Sequence, residues 1–189
     1  MTRFICLLFV LLGLGLSNGC TKDGTANKAV EIGGPSSGSG QKGFLYAGSR
    51  GGDVYSAEFI RWTEADKHVS GQIQMFWANG NARSTSGNQG NNPFLDPIGN
   101  AQQSFEGVRN GEDISITFTG DFVAFSKNSR TSGSALTGQV WTGTLKGDNL
   151  TLITPDPASG TLTATEFKSA TVEQYNQVVT NATETLRKK

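Results

Sequence analysis

Histidine and cysteine are almost missing from this chain: His68 stands alone, and Cys6 and Cys20 are the only thiols among 189 residues. A zinc site draws on several such ligands, and a serine or cysteine hydrolase needs a nucleophile beside an oriented base. The sequence has no Gly-x-Ser-x-Gly elbow in strand-to-helix context, since Gly34-Pro35-Ser36-Ser37-Gly38 falls in a Gly- and Ser-rich stretch, and no cysteine beyond position 20. His68, next to Lys67 before an alternating segment, reads as a surface residue. Charge of one sign is missing as well. Sixteen basic residues balance sixteen acidic ones, so no attraction to nucleic acid is expected. The one basic run, Arg187-Lys188-Lys189, closes a helical segment, where it complements the helix dipole. With no calcium loop and no phosphate-binding glycine loop in strand-to-helix context, no cofactor is implied.

Hydrophobic residues make up 35% and charged residues 17%, both low for a globular protein, while glycine reaches 25 residues. With many Thr, Ser and Asn, that composition favours short strands joined by turns, hence an all-β domain.

Met1-Thr2-Arg3 gives a positive start, and residues 4–16 form an uncharged apolar stretch, the layout of a secretory signal. The stretch is shorter than the roughly 20 apolar residues that a spanning helix needs. Leu16-Ser17-Asn18-Gly19-Cys20 resembles the lipobox of bacterial lipoproteins, although Leu16 sits four places before the cysteine and the lipobox has leucine three places before. The resemblance covers residues 1–20 only. It implies a cleaved signal at 1–19, lipid attached to the sulfur of Cys20, and a protein anchored on the extracytoplasmic side of a bacterial membrane. Ser17 and Gly19 also fit an ordinary secretory cleavage site, which would release the protein, and an uncleaved anchor is a third reading. Cys6 lies in the apolar stretch, so Cys20 has no intramolecular disulfide partner, and a thioether to lipid removes an exposed thiol.

Residues 20–42 are small and polar, centred on Gly33-Gly34-Pro35-Ser36-Ser37-Gly38-Ser39-Gly40. Such a segment buries too little apolar surface to offset its ordering entropy, and it is expected to act as a flexible tether with a reach of about 25 Å.

Residues 43–170 carry the period of strands. In 69–77, Val69, Ile73, Met75 and Trp77 share one face, and 113–119 and 149–152 alternate similarly. Further strands are predicted at 44–47, 54–63, 104–109, 122–125, 136–145 and 160–168. Residues 106–116 align without a gap to 142–152, and 69–73 match 136–140, either as a duplicated hairpin or as the shared grammar of β meanders. Asn110-Gly111 predicts a type I′ turn. About eight or nine antiparallel strands imply a small β barrel or a sandwich. In 171–189 the period becomes helical: Val172, Tyr175, Val179, Ala182 and Leu186 form a stripe, and Thr171 with Gln174 forms a capping box. This amphipathic helix is expected to pack on the β body.

Asp53, Glu58, Glu106, Asp113 and Asp121 are the acids from which a glycosidase pair would be drawn, and nothing in their neighbourhoods marks any two of them. Trp77 and Trp141 read as core. Trp62, beside Arg61 and of ambiguous phase, leaves room for a binding role. Residues 78–101 form a long Asn-, Gly- and Ser-rich segment in which Phe94, Leu95 and Ile98 are costly to expose, so they are expected to dock it on the body or cap a barrel mouth. A recognition loop and a plain insertion both satisfy that pattern. The sequence therefore points to a membrane-tethered envelope lipoprotein acting as a non-enzymatic binding module. Its expected partners are the membrane, through Cys20, and an unknown protein or small molecule. A calycin-like carrier of an apolar ligand is the alternative, and a hydrolase with paired carboxylates ranks third.

Overall fold

Alternation of inward apolar and outward polar residues organises the body of the chain into strands that close on one another. The structure, a computed structural model, describes residues 40–49, 54–79, 98–126, 130–134, 136–155 and 160–188. The strands are β1 (Lys42–Ser49), β2 (Val54–Ala65), β3 (His68–Asn79), β4 (Ile98–Asn110), β5 (Asp113–Ser126), β6 (Arg130–Gly133), β7 (Val140–Lys146), β8 (Asn149–Pro155) and β9 (Leu162–Ser169). They are followed by the helix α1 (Val172–Arg187). Every pairing is antiparallel. β1 through β5, then β7, β8 and β9, form a ring of eight, and β6 is an extra strand on β5. Closure rests on a short seam in which Phe44 faces Ser169 and Leu45 faces Lys168. The architecture is a barrel, not a sandwich.

Even positions of β2 and odd positions of β3 point inward. Ile60 and Trp62 join Val69 and Ile73 in a cluster that also contains Phe44, Phe105, Phe118 and Phe167. The rings meet closely: Phe44 stacks on Trp62 at 4.9 Å, and Phe118 meets Trp141 edge-on at 4.6 Å. Outward positions of β2 and β3 are apolar too, because Ala57, Phe59, Phe76 and Ala78 lie beneath α1. Tyr175 stacks on Phe59 at 5.4 Å, and Val172, Val179, Ala182 and Leu186 complete the expected stripe. Thr171 caps the helix in a reciprocal box with Gln174. Burial by this packing pushes the Tyr175 hydroxyl well above the ordinary phenol range.

Several local expectations are corrected. Segments 113–119 and 122–125 are one strand, β5, which bulges opposite Gln103 where Gly120 takes φ +65°. Residues 136–139 precede β7 in a turn, so their match to 69–73 is not structural. The 106–116 and 142–152 segments do correspond, as the hairpins β4–β5 and β7–β8. The first of these turns on Gly111-Glu112, with positive φ only at Gly111, the type II′ pattern in place of I′. Gly147-Asp148 and Asp66-Lys67 are likewise two-residue turns with positive φ at their first position, Asp66 at +56°.

Candidate functional site

The barrel has two unlike ends. At the turn end the three two-residue turns interlock with the next strand: Arg109, Leu145 and Ser169 donate backbone N–H bonds to the carbonyls of Lys67, Glu112 and Asp148 at 2.7–2.8 Å. All longer connections leave the opposite, loop end. Barrels of this kind hold sites at a mouth ringed by loops.

The interior changes character between the two ends. Toward the turn end it is filled by the aromatic and aliphatic cluster around Trp62 and Phe118. Toward the loop end it carries buried polar side chains on β2, β4, β8 and β9. Ser56 and Glu58 occupy the next inward positions of β2 and are 8% exposed, Gln103 on β4 is 1% exposed, and Thr154 and Thr165 hydrogen-bond each other at 2.8 Å. Beside them on β3, β4 and β5, Trp77, Ala101, Phe122 and Ala124 form an apolar cluster with Met75 and Leu136 at its edge, and Trp77 pairs directly with Ser56. Buried polar atoms are normally paired. Here Ser56 Oγ and Gln103 Oε1 have no partner among the described groups, nor has Trp62 Nε1 or Trp141 Nε1.

The turn end carries an ion cluster at the start of β1. Glu64 accepts from Lys42 Nζ at 2.7 Å and from Arg109 Nη1 at 3.1 Å. The bond from Lys42, with that from Arg109 and both cations' charges, holds the Glu64 carboxyl below its ordinary range against the opposing effect of burial. A depressed carboxylate pKa contributes stability above the unfolded value, near 4.3, and that contribution is lost as pH falls through the folded pKa. The stability gap between wild type and Glu64→Gln is therefore expected to be widest near neutrality and to shrink below about pH 4 in urea melts. A gap constant with pH would mean the ion cluster contributes nothing.

Among the depressions of the described surface are two away from the loop-end interior. One, about 500 Å³, lies on the wall of β4, β5, β7 and β8 between Val108 and Ile153, over Ser115, Thr142 and Thr151. The other, about 490 Å³, lies at the turn end beside Lys42, Arg109 and Thr171.

His68 is exposed, in keeping with a surface role. Among the described acids, Glu58 points inward, whereas Glu106, Asp113 and Asp121 are exposed. Among the described residues no group of three His, Cys, Asp or Glu side chains is arranged to hold a metal ion. Trp62, whose phase the sequence leaves open, faces the core: it is fully buried and stacked on Phe44. Cys20, the tether up to residue 39, Asp53 and residues 80–97, with Phe94 and Leu95, lie outside the described residues. Sequence reasoning passed over Ser56, Gln103, Thr154 and Thr165. Their one signal is polarity at an inward phase, which becomes readable only when the barrel shows which phase is inward. The sequence matches no protein-family model and no curated protein, so the barrel's geometry carries the functional argument.

Proposed function

We propose that this chain is an exported envelope protein, tethered to a membrane by lipid on Cys20, whose barrel is a non-enzymatic binding module with its site in the loop-end interior. The observation that supports the reading is the loop-end interior, where buried polar atoms without described partners lie among apolar side chains. A calycin-like carrier of a small apolar ligand is the alternative, and it has less room, since Phe44, Trp62, Phe105, Phe118, Trp141 and Phe167 fill much of the barrel. A second reading places a protein partner on the outer wall away from α1. It is favoured by Val140 and Leu162, 56% and 68% exposed.

The tether is tested by labelling cells with a radioactive fatty acid. The wild-type protein is expected to carry label and to sediment with membranes, and Cys20→Ser is expected to lose both properties or remain as uncut precursor. An intact mass showing an unmodified mature N-terminus would remove the lipid anchor from the proposal.

A further inference from the structure

We infer that the barrel has a built-in place to open, the seam between β1 and β9, and that α1 is the strap that holds it shut. Among the described residues the two strands pair at Phe44 with Ser169 and at Leu45 with Lys168, and the Ala170 N–H donates to the Gly43 carbonyl at 2.9 Å just beyond them. Every other wall of the ring holds along a longer ladder. Even β5 and β7 pair from Asp113 with Thr144 to Thr117 with Val140, and β7 and β8 from Thr142 with Ile153 to Lys146 with Asn149.

Each strand of the seam is tied along its length to the neighbour on its own side. β1 stays in register with β2 from Lys42 to Ser49, and β9 with β8 from Leu162 to Lys168. Across the seam the ladder covers only the turn-end part of both strands. Inside, Tyr46 meets Phe167 edge-on with centroids 6.2 Å apart, a wider contact than the 4.6 Å edge-on pair of Phe118 and Trp141 that spans β5 and β7. Local opening follows the fewest ladder bonds and buried contacts, so the ring parts at this seam before it parts elsewhere.

The helix grows out of one side of the seam and packs on the other. Its cap, Thr171, is separated from the last residue of β9 by Ala170 alone, a link without slack. From there the apolar stripe lies on Leu45 of β1, Ala57 and Phe59 of β2, and Phe76 and Ala78 of β3, with Tyr175 stacked on Phe59. Gly43 lets the chain cross so closely: a Cβ there would stand 2.5 Å from the Ala170 carbonyl oxygen and 2.8 Å from the Phe59 ring. Moving β9 away from β1 therefore pulls the helix off β2 and β3 and returns its stripe to water, which adds the loss of that apolar burial to the loss of a short ladder.

The test is residue-resolved hydrogen exchange under native conditions, by NMR on the full chain in mild detergent. In wild type the amides of Leu45, Lys168 and Ala170 are expected to exchange at least about tenfold faster than those of Phe105 and Phe118, which wait for global unfolding. Two variants then report what the opening breaks. Tyr175→Ala is expected to speed both sets by the same factor, within about threefold, because the contacts of Tyr175 are lost in the seam opening as fully as in global unfolding. Ile116→Val, in the core away from the seam, is expected to speed Phe105 and Phe118 severalfold and to leave the seam amides unchanged. Seam amides unmoved by Tyr175→Ala would show that the helix stays docked while the seam parts, and α1 would be no strap. Seam amides as slow as Phe105 in wild type, or speeded equally by Ile116→Val, would remove the local opening itself. Should Tyr175→Ala fail to fold, Val179→Ala removes less of the same stripe and is read in the same way.

Discussion

Gly143→Ala is expected to abolish or severely weaken cooperative folding, although it adds a single methyl group. Gly143 sits at an inward position of β7, opposite Leu152 on β8. A Cβ built there falls 1.8 Å from the Thr151 carbonyl oxygen and 2.9 Å from the Leu152 Cα. Both obstacles are backbone held in the β7–β8 ladder, so no side chain can rotate away to make room. Overpacking a core commonly costs about 1–3 kcal/mol, and a clash with ladder backbone lies at or beyond the upper end of that range. Total stabilities of about 5–15 kcal/mol leave little margin for such a loss. Gly111→Ala supplies the comparison. Gly111 has open space around it and a φ of +64°, so the same substitution meets only the left-handed penalty of roughly 1–2 kcal/mol. Chemical denaturation of both variants is expected to show the larger loss at Gly143. Equal losses would mean that β7 and β8 separate easily and that the barrel wall is softer there than its geometry implies.

The same glycine shows how far sequence reasoning reached. Aligning 106–116 with 142–152 sets Gly107 over Gly143, and both face inward before a two-residue turn. That match was legible. Its cause was not, because the atom that forbids a side chain at each position belongs to a neighbouring strand: the Ser115 carbonyl for Gly107 and the Thr151 carbonyl for Gly143. Strand identity was legible wherever one face was buried, as in Val69, Ile73, Met75 and Trp77. It blurred in β2, where Ala57 and Phe59 are buried beneath the helix while Ile60 and Trp62 are buried inside the barrel. A strand covered on both faces loses its period-2 signal, and for that reason Trp62 had no readable phase. Barrel closure escaped for a different reason: it depends on the short pairing of β1 with β9, across more than a hundred residues of chain, and no local pattern encodes it. The buried polar residues were hidden by the same uncertainty of phase, since Ser56 and Gln103 look like surface residues until their strands are placed.

Trp62→Ala is expected to be among the most destabilising truncations of the core, at about 3–5 kcal/mol. The side chain is fully buried, stacked on Phe44 with rings 17° from parallel, and it fills the space beside Gly71, where an added Cβ would stand 2.7 Å from the Trp62 Cβ. Removing the indole leaves a void that Phe44 and Phe105 cannot close, because each is held in its own ladder. Trp62→Phe separates packing from polarity. It keeps an aromatic ring against Phe44 and deletes only the distal ring and the buried Nε1–H, a donor with no described partner. An unpaired buried donor costs about 1–3 kcal/mol, which offsets part of the lost contact, so the phenylalanine variant is expected to lie within about 1.5 kcal/mol of wild type. Were Trp62→Phe as damaging as Trp62→Ala, the Nε1–H would have to be bonded to something that holds the barrel together.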